Sequence, residues 1–392
     1  MRSFIKGIFS FVMIASLLLV LNITKIMFVD PNINGQISQL SNMAEQNAIE
    51  KSYIQDVLDA MPLRQKIASM LILHKSGTNS VTLVDYLNTY KPGGLIFMSD
   101  NIPTSDDETK KMTEILQSNT PLPYLFAIDQ EGGVVSRIDS DALPGAFNLR
   151  NQNPSITQST FNDRSRMLKN LGFNLNFGIV ADVTNNSNSF IYPRVFGGDA
   201  TSVAARVSAA VEGSKGLTLS TLKHFPGHGE TADDSHSSVP ITNASYQKWQ
   251  QNDELPFAEG IKSGANFVMF GHLIYSEYDN TPASLSAKWH KLLVNQEKLK
   301  GISITDDMIM LQESGDPKYA DPVVNAVSAI KAGNNMLLYV LDHGGKSGID
   351  PNVIIDGIET AVNNGTLDRK LININASKVF HLRHDLNKVL NK

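Results

Sequence analysis

Residues 219–238, "LSTLKHFPGHGETADDSHSS", decide how the chain is read. The segment opens as an apolar strand, ends that strand on Lys223 and His224, and breaks into a loop at Pro226, Gly227 and Gly229. Proline and paired glycines make a continuing helix unfavourable there. A buried strand that finishes on charged groups is what a parallel α/β sheet presents at its functional edge.

The same design recurs along the chain. Apolar runs stand at "IASMLIL" (67–73), "GLIFM" (94–98), "YLFAID" (124–129), "LNFGIVAD" (175–182), "NFVMFGH" (266–272), "ISITDD" (302–307) and "NMLLYV" (335–340). Helical segments such as "DETKKMTEILQ", "ATSVAARVSAAVEGSK", "PFAEGIKSG" and "PVVNAVSAIKAG" lie between them. Near-continuous apolar strands alternating with helices predict a parallel sheet covered by helices. Eight such strands predict an α/β fold of the (β/α)8 TIM-like barrel type, with a doubly wound open sheet as the competitor. Asp129, Asp182, His224, His272 and Asp306 each fall at the C-terminal end of a strand. One such aspartate is commonly a helix cap, but five polar residues at equivalent positions point to a shared site on one rim.

Composition sets the surroundings. The chain has 392 residues, 42% hydrophobic and 19% charged, with a net charge of −5. That composition is globular, and the charge argues against a nucleic-acid partner. There is no cysteine, which removes disulfides, thiolate metal sites and a thiol nucleophile. Arg2 and Lys6 precede an uncharged, mostly apolar run from Gly7 to Thr24. That pattern predicts an export signal in residues 1–30, read as an uncleaved anchor, with a cleaved signal peptide as the alternative. Residues 31–54 are polar and read as a linker, so the expected barrel domain is 55–392, exported and held at the membrane through the N-terminal segment. Residues 361–386 read as the terminal helices of the barrel, with no second domain expected after it.

The loop itself admits more than one chemistry. His224 and His228 are four apart, a zinc spacing on a helix, but the glycines remove the helix and leave only a loop-held metal. Ser235 and Ser237 lack a nucleophile elbow, and "DQEGGVVSR" lacks the lysine of a phosphate loop. Asp234 and His236 are two apart, close enough for the carboxylate to orient the imidazole. With Asp306 facing them, a carboxylate nucleophile would oppose a proton donor, as in a retaining glycosidase.

"KHFPGHGETADDSH" (223–236) resembles the signature of family 3 glycoside hydrolases, in the bacterial β-N-acetylglucosaminidase branch. "AIDQEGGVVSRI", "NFGIVADV", "PRVFGGD", "LPFAEGIKSGANFVMFGHLIY", "PASLS" and "GISITDDMIM" resemble further family segments in the expected order. The resemblance implies a TIM-like barrel, exo-acting hydrolysis of terminal β-linked N-acetylglucosamine from cell-wall fragments or related glycosides, and no metal or other cofactor. It implies Asp306 as nucleophile, His236 as acid/base and Asp234 as its partner. It also implies that Asp129, Arg137, Arg194, Lys223 and His224 contact the sugar, while His228 and His272 support the loop and rim. Glu230, Val134 and Pro193 depart from the family pattern, which puts the edge of the sugar pocket in question. The competing functions are a β-glucosidase-like exoglycosidase, a silent sugar-binding protein of the envelope, and a metal-dependent hydrolase.

Overall fold

In the computed structural model, which describes residues 54–118, 120–342 and 348–390 together with Glu45 and Ser52, each apolar run contains a strand. They are β1 (Leu71–Leu73), β2 (Gly94–Phe97), β3 (Leu125–Ile128) and β4 (Leu175–Val180). β5 (Leu219–Phe225), β6 (Phe267–Phe270), β7 (Ile302–Asp307) and β8 (Met336–Tyr339) complete the set. All eight are parallel, and Leu71 of β1 pairs with Leu337 of β8, so the sheet closes into a barrel. The open-sheet alternative is thereby removed.

The first run is a partial exception. Residues Leu63–Ser69 form a helix, and the strand begins only at Leu71. Ile67, Ala68 and Ser69 are buried in both readings, and a short apolar run does not by itself separate a buried helix from a buried strand.

Helices return the chain between strands, and three start on one device. Asn153, Asp321 and Asp350 each precede a proline and accept a backbone N–H of the first turn, from Ser155 at 3.0 Å, Val323 at 2.8 Å and Asn352 at 2.9 Å. The side chain satisfies an orphan donor while proline supplies a preset φ. Ile72, Ile96, Leu125, Leu175, Phe267, Ile304 and Leu338 join one buried cluster of strand side chains. Val379, Leu382 and Leu386 of the last helix, Arg369–Leu390, pack on the same cluster. Arg383 donates to the carbonyls of Pro123 (2.8 Å) and Leu122 (3.0 Å), just ahead of β3, so this helix closes the N-terminal end of the barrel.

The chain divides into two units, Met1–Met61 and Pro62–Lys392, and the barrel is the second. In the first, residues 54–60 are helical. The expected signal or anchor at 1–30 and nearly all of the linker at 31–54 lie outside the described residues. Among the described residues, no helix is long and apolar enough to cross a membrane.

Candidate active site

Three of the five strand-end groups, Asp129, His224 and Asp306, line one cavity of about 600 Å³ at the C-terminal rim. The other two are buried and do not line it. Asp182 is fully buried; it accepts the backbone N–H of His224 at 3.2 Å and of His228 at 2.6 Å, and holds His224 Nδ1 at 2.7 Å. His272 meets Ser284 Oγ at 2.6 Å and the carbonyl of Asp307 at 2.9 Å. Strand alternation sends neighbouring side chains to opposite faces. Lys223 and His224 nevertheless both line the cavity, and the peptide bond between them is cis.

A chain of ion pairs forms the cavity floor. Lys223 Nζ lies 2.7 Å from both Asp129 Oδ1 and Glu131 Oε1. Arg194 grips Glu131 with two bonds, Nε to Oε2 at 3.0 Å and Nη2 to Oε1 at 2.7 Å, and its Nη2 is 3.3 Å from His224 Nε2. Burial works against the Glu131 carboxylate, but the two cations outweigh it and bring its pKa down to about 2. Burial equally opposes the Lys223 ammonium, and Asp129 and Glu131 overcome that and raise it. Glu131 and Lys223 are thus held in their charged forms, and the fixed donors and acceptors suit a ligand rich in hydroxyls.

Asp306 and Asp307 end β7 side by side. Burial would raise the Asp306 carboxyl, but His224, His272 and the Asp307 N–H, 2.8 Å from Oδ1, hold it below the ordinary aspartate value. His236 lines the same cavity; its Nδ1 is 2.7 Å from Asp234 Oδ1 while its own backbone N–H reaches the same oxygen at 2.9 Å. Asp234 itself does not line it. Burial opposes the Asp234 carboxylate, and its bonds to His236 more than offset this and lower its pKa.

Arg137 lines the cavity as well; its backbone N–H bonds Gln130 Oε1 at 2.7 Å and its side-chain Nε is buried with no partner among the described residues. The eight residues singled out in the sequence therefore converge, seven on the cavity wall and Asp234 one bond away. Two of the departures from the family pattern, Val134 and Pro193, lie on that wall. Glu230 does not: it bonds Lys248 Nζ and accepts from Asn252 Nδ2 at 3.4 Å. Glu131 and Phe190 are cavity residues that the sequence reading did not single out. Glu131 sits inside the quoted "DQEGG", where an acid beside two glycines reads as a turn; nothing in the sequence marks Phe190.

A (β/α)8 barrel whose rim gathers carboxylates, two buried cations and a loop imidazole has the make-up of an enzyme for a polyhydroxylated ligand. The N-terminal domain of glycosyl hydrolase family 3 matches residues 62–382, and the chain belongs to that family. A beta-hexosaminidase of Xylella fastidiosa strain M23 is 31% identical over 260 residues, 63% of this chain and 76% of that protein. A solved family 3 beta-N-acetylglucosaminidase from a Paenibacillus species superposes with a TM-score of 0.75 at 26% identity over 83% of this chain. A fungal multi-domain family 3 beta-N-acetylglucosaminidase gives a TM-score of 0.74 at 26% identity over 82%. The chain spans 62% and 39% of the length of those two solved chains, respectively.

Proposed function

We propose that the protein is an exo-acting, retaining β-N-acetylglucosaminidase. One observation carries the reading: a carboxylate held ionised, Asp306, and an imidazole oriented by a carboxylate, His236, line the same cavity. The names of the related proteins support the choice of sugar. In the first step a carboxylate oxygen of Asp306 attacks the anomeric carbon, and the bond to the leaving oxygen breaks with its electron pair. His236 gives that oxygen a proton from Nε2, because Nδ1 is engaged by Asp234. In the second step Nε2 takes a proton from water, whose oxygen displaces Asp306 from the sugar. Asp129, Arg137, Arg194, Lys223 and His224 hold the sugar hydroxyls.

The test is cleavage of chromogenic β-N-acetylglucosaminide and β-glucoside by the parent and by Asp306→Ala. The N-acetylglucosaminide is the expected better substrate, and D306A is expected to lose activity by at least roughly three orders of magnitude. Faster cleavage of the glucoside sinks the sugar assignment, and parental activity in D306A sinks the nucleophile. NMR of the first-formed product is expected to show the β-anomer.

The basic residues Arg2 and Lys6 before an apolar run support an exported, membrane-held enzyme, and N-acetylglucosamine is a sugar of bacterial cell walls. Cell-wall fragments are therefore the proposed natural substrate. Release of N-acetylglucosamine from purified muropeptides, and recovery of the full chain in the membrane fraction, are the expected results.

A further inference from the structure

His236 and Asp234 belong to one loop, two residues apart, so the bond between them orients the imidazole without locating the pair over the cavity. Hydrogen bonds of 233–238 among the described residues run within the loop: Asp233 to Thr231, His236 to Asp234, Ser237 and Ser238 to the Asp234 carbonyl. The His236 side chain is 58% exposed. Residues 231–236, the part of the loop that carries the pair, are met by the connection that follows β4. Buried Ser189 donates Oγ–H to the carbonyl of Thr231 at 3.0 Å, and the backbone N–H of Phe190 reaches the carbonyl of Ala232 at 3.4 Å. The Phe190 ring meets the His236 imidazole in a T-shaped contact, centroids 5.3 Å apart at 66°. The same ring lies 5.7 Å from the guanidinium of Arg194, which is itself fixed on Glu131.

We propose that Ser189 and Phe190 form a clip that sets the acid/base imidazole over the bond to be cut, with Phe190 as a positioning residue for His236. The inference rests on the acid/base reading of His236 given above. The two backbone carbonyls fix the loop at 231–232, and the aromatic ring fixes it again at His236. An aromatic–aromatic contact of this geometry is selective in direction, which a purely aliphatic neighbour is not.

The test uses leaving groups that differ in their need for a proton. Dinitrophenolate departs unaided, whereas methoxide requires the acid, and kcat/KM reports the step in which the aglycone leaves. For Phe190→Ala, kcat/KM on methyl β-N-acetylglucosaminide is expected to fall roughly tenfold or more, while the dinitrophenyl glycoside stays within about threefold. Phe190→Tyr, which keeps the ring, is expected to restore the methyl glycoside. Ser189→Ala is expected to show the same selectivity more weakly, and serves if Phe190→Ala does not fold. Equal losses on both substrates, or no loss on either, overturn the clip. His236→Ala is run beside them: no selectivity there overturns the acid/base reading itself, whereas selectivity in His236→Ala alone overturns only the clip.

Discussion

The carboxyls of Asp306 and Asp307 are neighbours in sequence and are driven in opposite directions. Burial raises both; for Asp306 the surrounding histidines win, while for Asp307 burial prevails and pushes it up to about 7. The difference suits a site that needs one acid ionised and cannot hold two adjacent bare charges. Glu131 is the other residue on which the site depends. Its pKa lies near 2 in the fold against an ordinary 4.5, so the folded state gains stability from its ionisation above about pH 4.5. That gain is lost as pH falls through 4.5 towards 2. Glu131→Gln leaves Arg194 and Lys223 short of a counter-charge, and a loss of roughly 3 kcal/mol at pH 7 is expected. Thermal unfolding between pH 7 and pH 2 is expected to show parent and variant converging at the acid end. A constant gap across that range would contradict the assignment. The polar groups at strand ends were legible in the sequence because each interrupts an apolar run. Glu131 was not, since its role comes from two cations, Lys223 and Arg194, brought in by other segments.

At the scale of the element, the loop after β5 is less free than its glycines suggest. A Cβ on Gly229 would lie 1.9 Å from the carbonyl oxygen of Val183, and Gly227 has a φ of +138° against buried Asp253. These glycines permit close approach rather than hinge motion. Two aromatic donors fasten the same segment: Trp249 Nε1 to the carbonyl of Pro226 and Tyr275 Oη to that of Gly227, both at 2.8 Å. Trp249→Phe keeps an aromatic ring in the cluster with Phe225 and Trp289 but strands a buried carbonyl. A loss of about 1–3 kcal/mol is expected in denaturant unfolding, with a fall in kcat. Unchanged stability and kcat would show that this anchor is dispensable. Most strands were legible because parallel strands buried on both faces are continuous apolar runs. β5 and β7 match the runs at 219–225 and 302–307 end to end. The run at 67–73 misled because its first half serves as a buried helical turn, and the fastening of the loop by Trp249 and Tyr275 has no local signature at all.

At the scale of the molecule, the barrel is closed twice, around its girth by β1 on β8 and at its base by the final helix. Cutting the chain after Asp368 removes Val379, Leu382 and Leu386 from the strand cluster and Arg383 from the carbonyls ahead of β3. The shortened protein is expected to be insoluble or to lose its cooperative unfolding transition in calorimetry. A sharp transition at the parental temperature would show instead that the strands are self-sufficient. The ladder that joins Leu71 to Leu337 also orders events during synthesis. β1 is the first of the eight strands to be made; it gains β2 next in the chain but waits for β8, the last of the eight, while the entropy of closing that long loop stands unrewarded. Until then the growing sheet carries a bare parallel edge, a template on which another nascent chain can add. The sheet is therefore most exposed to aggregation before β8 has been made.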